Sequence, residues 1–327
     1  MRALFWDGSA ARVVDRPAPM VAEAEAEAEA EADGMAVVDV CLAGVCNTDV
    51  EITRGYMGFR GVLGHELVGT VSAGPKAWRG RRVVAEINFA CGGCATCVRG
   101  LGRHCPARTV MGIVGADGAM AEQVAVPAAN LHAVPDAVPD EAAVFAEPLA
   151  AAFEILEQVH VRPRTRAVVL GDGKLGLLCA QVLHQAGAEV LAVGKHADKL
   201  SILRARGIET QLASVWSGAG EPAELVVEAT GSAAGFEAAV RATRPRGTLV
   251  LKSTVAGRPE IDLAPLVVNE ITVVGSRCGS FAPALRALES GSVDVRSLIA
   301  DTLPLDRADE ALRAAARPGV LKVLVAP

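Results

Sequence analysis

The 327-residue chain predicts an α/β protein in two parts, a mainly β region followed by a doubly wound parallel sheet. Three observations carry this. The length exceeds what one ordinary core serves. Residues 1–130 are rich in Gly, Val and short apolar runs set between turn signals. From about residue 165 strand-like runs alternate with helical spacings, the grammar of a doubly wound sheet.

In the first region Met35 to Cys41, Glu66 to Val71, Arg82 to Glu86 and Ala121 to Val126 read as strands. Glu23, Glu25, Glu27, Glu29 and Glu31 alternate with alanine. That alternation imitates a strand, but Ala and Glu form strands poorly and supply no bulky core face, so a solvated loop without chemistry is expected. In the second region the run 167–171 is a buried strand and Lys174 to Ala186 a helix. Glu189 to Val193 is the next strand, followed by a helix from Ala197 to Arg206. Glu224 to Ala229, Thr248 to Leu251 and Ile271 to Val274 complete the strand set, with helices between them. After about residue 283 come two helix-like stretches and a last strand, Leu321 to Val325.

Hydrophobic residues make up 51% of the chain, ample for burial, and the net charge of −6 gives no basic footprint for nucleic acid or an anionic membrane. No stretch reaches the roughly 20 apolar residues of a membrane span. The nearest, Ala142 to Leu156, is interrupted by Glu147, Pro148 and Glu154. MRALFWDGSA has no long apolar run behind Arg2, so no secretion signal is expected. The eight cysteines are therefore expected as reduced thiols and metal ligands in a cytoplasmic protein.

Cys91, Cys94, Cys97 and Cys105 form a C-x2-C-x2-C-x7-C cluster in a loop containing Gly92, Gly93, Gly100 and Gly102. Four thiolates converging on one tetrahedral zinc leave no open coordination position, so the expected role is structural. Paired disulfides or an iron–sulfur cluster are the alternatives. Gly171-Asp172-Gly173-Lys174-Leu175-Gly176 fits G-x-G-x-x-G directly after a strand and opening a helix, the setting in which that pattern binds a dinucleotide pyrophosphate. Asp172 is awkward beside a phosphate; either Lys174 offsets it or its side chain points away. An NAD site usually ends the second strand in Asp or Glu. Here Gly194, Lys195 and His196 stand there, which favours NADP over NAD; a plain solvated loop is the other reading.

Cys46, His65 and Glu147 offer a thiolate, an imidazole and a carboxylate, the donor set of a catalytic zinc that keeps one position open. Pro148 disfavours helical geometry at Glu147, and a break there could aim the carboxylate inward. Taken singly, each has an ordinary explanation: a buried thiol, a core histidine, a helix-start acid.

The segments MRALFWDG, AGVCNTD, LGHELVGTV, the four-cysteine loop, AEPLAAA, LGDGKLG, VVEATG and ITVVGSRCG span nearly the whole chain. Together they resemble the zinc-containing medium-chain dehydrogenase/reductases, the alcohol dehydrogenase superfamily. Glu147-Pro148-Leu149 resembles the polyol, sugar and threonine dehydrogenase branch. The resemblance implies a GroES-like catalytic domain over residues 1–149 and 284–327, and a Rossmann domain over 150–283, with the active site between them. It implies two zinc ions per chain, one structural and one catalytic, the latter near Cys46, His65, Glu66 and Glu147. It places Thr230 among the cofactor-binding residues, with Thr48 relaying the alcohol proton and Asp49 orienting His65. Similar enzymes often carry His where this chain has Glu51, which leaves the end of that relay in doubt. Tyr56, Met57 and Phe59 could line the substrate pocket, although core packing is the commoner role for Met57 and Phe59. Arg277 could approach the cofactor, while Cys41, Cys179 and Cys278 read as buried fillers. The edge strand Ile271 to Val274 implies a homodimer or homotetramer.

The activity implied is hydride transfer between a polyol-, sugar- or cyclitol-like secondary alcohol and NADP(H). The alternatives are a threonine-type amino-alcohol dehydrogenase or aldehyde reductase using NAD(H), or an inactive NADPH-binding redox sensor.

Overall fold

The structure, a computed structural model, describes residues 1–21, 34–218, 221–253 and 260–327. The Glu/Ala alternation at 23–31 lies outside the described residues. Two compact units are present: Met1–Glu147 with Leu298–Pro327, and Pro148–Ser297. The chain returns to the first unit at Leu298, later than the 283/284 boundary expected. The buried Gln181 side chain donates to the Asp294 carbonyl at 2.9 Å and accepts from the Asp294 amide at 2.7 Å, tying that segment to the second unit.

The first unit is organised around one long strand, Met35–Val45. Gln123–Pro127 pairs antiparallel with its first half, and Lys322–Ala326 with its end, Ala43–Val45. Glu66–Ala73 runs antiparallel along its other edge. Arg82–Ala85 and Leu131–Ala133 extend the sheet on one side, and Ile299–Pro304 on the other. The strand therefore brings the C-terminal residues beside residues 43–46, some 280 positions earlier. The pairing also corrects one expectation. Val40 faces Gly69 and Leu42 faces Val68, so Cys41 is the extra residue of a bulge and is exposed, not a buried filler. Cys179 is buried, with its thiol pushed up to about 11 by loss of water, and Cys278 is half-buried.

The second unit carries a six-stranded parallel sheet. Its order is Glu209–Leu212, Glu189–Gly194, Arg166–Leu170, Ala223–Glu228, Thr243–Leu251 and Thr272–Gly275. In chain order this is 3-2-1-4-5-6, the doubly wound arrangement whose ligands bind beyond the carboxyl ends of the strands. Val168, Leu170, Val193, Val226 and Leu249 form its core with Ala239 and Val240 of the helix Ala233–Ala242. Lys252, buried at the end of its strand, donates to the carbonyls of Ala151 and Arg277 and to the Ser276 hydroxyl, at 2.6–3.1 Å.

Gln181→Leu keeps the approximate volume but removes both bonds to Asp294. It is expected to cost about 1–3 kcal/mol for the polar groups left unmade, read as a lowered Tm in thermal denaturation.

Candidate metal centres and cofactor loop

The strand Met35–Val45 ends directly before Cys46, which caps the helix Asn47–Thr53 with extended backbone (φ −97°, ψ 160°). Asp49 closes the turn: its Oδ2 accepts from the Cys46 amide at 2.8 Å and its Oδ1 from the Gly64 amide at 3.2 Å. The same Oδ1 lies 3.3 Å from His65 Nδ1. Asp49 thus fixes the two segments that carry Cys46 and His65, and its place beside Nδ1 leaves the other ring nitrogen for a metal. Glu66 opens the neighbouring strand opposite Gly44. A Cβ at Gly44 would collide with Glu66 Oε2, so the missing side chain is what makes room for the carboxylate.

The ligand atoms of Cys46, His65 and Glu66 all lie within 4.8 Å of one another. His65 and Glu66 are buried, and Glu66 Oε1 has no hydrogen-bond partner. An ionised oxygen shut away from water without a partner is costly unless a cation takes it up. Burial disfavours a charged His65, yet the neighbouring Asp49 and Cys46 outweigh it and hold the imidazole well above its ordinary pKa. A soft thiolate, an imidazole and a carboxylate with spare negative charge fit a zinc ion with an open fourth position.

Glu147 is not part of this trio. It lies in the first turn of the helix Ala146–Gln158, which continues through Pro148 without the break expected. In the first turn the proline's missing N–H would have had no helical partner in any case. Thr48 lies close, with Cys46 Sγ 3.7 Å from its hydroxyl oxygen, while Glu51 is bonded to Arg54 at 2.7 Å. Of the three residues read as pocket candidates, Phe59 is buried, Tyr56 is half-buried and Met57 is exposed on backbone of positive φ (59°).

In the four-cysteine loop the Sγ–Sγ distances are 3.5 Å for Cys94–Cys97 and Cys91–Cys105, 3.8 Å for Cys94–Cys105 and 3.9 Å for Cys91–Cys97. A tetrahedron with Zn–S bonds of about 2.3 Å requires sulfurs about 3.8 Å apart. Disulfide sulfurs would be about 2.05 Å apart. All eight cysteines are free, so the disulfide alternative does not apply. The backbone N–H of Cys97 helps draw the Cys94 thiol down to about 6, whereas loss of water and the adjoining sulfurs push Cys97 up to about 12. Four sulfurs at this spacing would all ionise only around a cation.

In the glycine loop, Gly171 has φ +117° and Gly173 caps the helix Lys174–Gln185. A Cβ at Gly176 would strike the Gly171 carbonyl, so helix and strand approach through glycine alone. Leu175 follows Lys174 in the first turn, half-buried. Asp172 turns away toward the next strand end, where its Oδ2 accepts from the amide and Nδ1 of His196. Lys195 is exposed and Gly194 buried. Thr230 donates its amide and hydroxyl to the buried Glu228 carboxylate, both at 2.6 Å.

Residues 32–136 match the family model of the alcohol dehydrogenase GroES-like domain, and residues 175–290 that of the zinc-binding dehydrogenases. The chain is 30% identical over 292 residues to 2-dehydro-3-deoxy-L-galactonate 5-dehydrogenase of Pseudoalteromonas atlantica, covering 83% of this chain and 85% of that protein. The chain belongs to the zinc-containing medium-chain dehydrogenase/reductase family. It is 28% identical to a sorbitol dehydrogenase of Halalkalibacterium halodurans, with 89% of this chain and 91% of that protein covered. An alcohol dehydrogenase (RspB) from Escherichia coli CFT073, solved in complex with NADH, superposes with a TM-score of 0.87 at 25% identity, covering 100% and 99% of the two chains. This medium-chain dehydrogenase is accordingly an enzyme of the zinc-type, NAD(P)-dependent alcohol dehydrogenase class, with a GroES-like unit and a Rossmann-like parallel sheet.

One residue of its candidate site escaped the sequence reading. Lys322, 1% exposed, forms an ion pair with Glu66 Oε2 and lies 5.5 Å from the Phe145 ring centroid. Burial opposes its charge, but Glu66 and Cys46 more than offset this and raise its pKa. A lysine opening a final strand carries no local signal of such a role.

Two outcomes follow for the purified protein. Cys97→Ser should lose about one zinc per chain by metal analysis and lower the Tm, whereas Cys46→Ser should lose about one zinc with the fold intact by circular dichroism. Lys322→Met should destabilise the chelator-treated protein by about 3–5 kcal/mol, the range for an uncompensated buried charge, and the zinc-loaded protein by less. Denaturant titrations of both forms beside wild type read the difference.

Proposed function

We propose that the protein transfers a hydride between a secondary alcohol of the polyol, sugar or cyclitol class and NADP(H), using two zinc ions per chain. The observation that carries this is the clustering of half-buried Cys46 with buried His65 and Glu66, whose carboxylate keeps one unpartnered oxygen. Cys46, His65 and Glu66 would hold the catalytic ion, and Cys91, Cys94, Cys97 and Cys105 the structural one. Glu66 is preferred to Glu147 as the direct ligand because its oxygen is already within reach of the other two donors. The polyol and sugar class is supported by the relatives, which include the galactonate derivative and sorbitol dehydrogenases. NADP is favoured because Gly194 puts no carboxylate of its own at the strand end and two potential cations, Lys195 and His196, follow it.

When bound, zinc supplies Lewis acidity at the substrate oxygen and the nicotinamide accepts or returns the hydride. The chain's own residues do the rest. Asp49 holds the imidazole and the Cys46 turn in register. Thr48, with its hydroxyl beside Cys46, exchanges the alcohol proton. Lys322 balances the negative charge of Glu66 and Cys46. Val267 and Val268, exposed on the helix Ala264–Val268, and Val273 on the adjoining edge strand favour a homodimer or homotetramer.

The test is reduction of NADP+ and NAD+ at 340 nm across a panel of polyols, sugar alcohols and cyclitols with the zinc-loaded protein. Turnover of at least one such alcohol, faster with NADP+, is expected. Thr48→Val should lower kcat by about 10²–10⁴ with zinc content unchanged. Absence of turnover across the panel, or full activity in Thr48→Val, would contradict the reading.

A further inference from the structure

Asp172 stands between the first two glycines of the loop, where a carboxylate facing a pyrophosphate would be repelled. Its side chain is instead seated over Gly194, at the end of the strand Glu189–Gly194. A Cβ placed on Gly194 would lie 2.5 Å from Asp172 Cβ, 2.6 Å from Oδ2 and 2.7 Å from Cγ. The two positions are therefore coupled: Asp172 fits only because residue 194 is glycine, and it fills the place a side chain at 194 would take.

From there Oδ2 accepts two bonds from one residue, the His196 amide at 2.6 Å and His196 Nδ1 at 3.0 Å. Asp172 is nearly buried, with its side chain 10% exposed, while the His196 ring is 39% exposed and Lys195 is open to solvent. A carboxylate on Nδ1 takes that nitrogen's N–H, so Nε2 can donate to an anion only in the doubly protonated ring. Nε2, on the far side of the ring, takes no part in that contact. The second bond, to the backbone of the same residue, holds the ring's root as well as its tip.

We infer that Asp172 is a specificity-determining positioning residue, holding His196 so that Nε2 meets the 2′-phosphate of the adenosine half of the cofactor. The inference rests on the NADP reading above. Asp172 takes the space of the usual strand-end acid but spends its charge on His196, and Lys195 adds a second cation on the open side. An anionic 2′-phosphate then meets a ring already braced by a carboxylate, and the doubly protonated ring donates its Nε2–H to a phosphate oxygen without reordering the loop.

Isothermal titration with 2′,5′-ADP and 5′-AMP reads this without turnover. Wild type should bind 2′,5′-ADP at least about tenfold more tightly than 5′-AMP, the scale of one charge-assisted bond. Asp172→Ala and His196→Ala should each weaken 2′,5′-ADP by about tenfold, and the double variant by no more than either alone, the signature of a coupled pair. Binding of 5′-AMP should stay within about twofold of wild type, since it lacks the group His196 meets. Asp172→Asn, which keeps the shape of the loop, covers the case in which the alanine variant does not fold. It should lose part of the preference and shift the His196 ring nitrogens in 15N spectra.

Several results would overturn the inference. Unchanged preference in the Asp172 variants removes Asp172 from the site while leaving the NADP reading intact. Equal weakening of both nucleotides makes Asp172 a loop-folding residue. Selective weakening of 5′-AMP makes it a reader of the bare ribose. If wild type itself shows no preference for 2′,5′-ADP, the NADP reading falls and the inference with it.

Discussion

Burial of opposite charges around Glu66 is the constraint on which the candidate site depends. Its carboxylate and the Lys322 ammonium are almost wholly removed from water, so each charge is tolerable only beside the other. The pairing holds only if the C-terminal strand docks against the end of Met35–Val45, because that register sets Lys322 across this strand from Glu66 on its other edge. Gly44 supplies the space between them. The last strand is therefore both a piece of sheet and the source of the charge that stabilises the site. One carboxylate oxygen is satisfied by Lys322 and the other has no hydrogen-bond partner, an arrangement suited to a cation and poorly suited to a plain core.

The two thiolate sites solve the same electrostatic problem at different range. In the loop 91–105, four sulfurs come together within fifteen residues and complete a closed tetrahedron without help from distant segments. In the trio Cys46, His65 and Glu66, two segments separated by 18 residues are held by Asp49, which bonds to backbone on both sides. Such a site inherits its geometry from the sheet, and its chemistry follows from what the sheet leaves unpartnered.

That difference in range decides what could be read in advance. The four-cysteine loop and the G-x-G-x-x-G turn are local patterns, and the structure places both as the spacing indicates. The parallel sheet was legible for a similar reason, since each βα pair carries its own apolar period. Lys322 was not legible, because its partner is 256 positions away and the pairing exists only in the folded register. Cys41 was misread because a bulge, which alternation cannot reveal, turns it outward. Pro148 was read as a break, yet in a helix's first turn it has no bond to lose. The direction of the Asp172 side chain depends on an absent side chain at 194, a steric fact that appears only once the two strand ends are adjacent.

The most direct measurement is anomalous diffraction at the zinc edge from crystals grown with the metal. The account predicts two peaks per chain, one among Cys91, Cys94, Cys97 and Cys105, and one within bonding distance of Cys46, His65 and the Glu66 oxygen that Lys322 does not hold. A single peak at the cysteine loop, with the trio Cys46, His65 and Glu66 empty at saturating zinc, would contradict it.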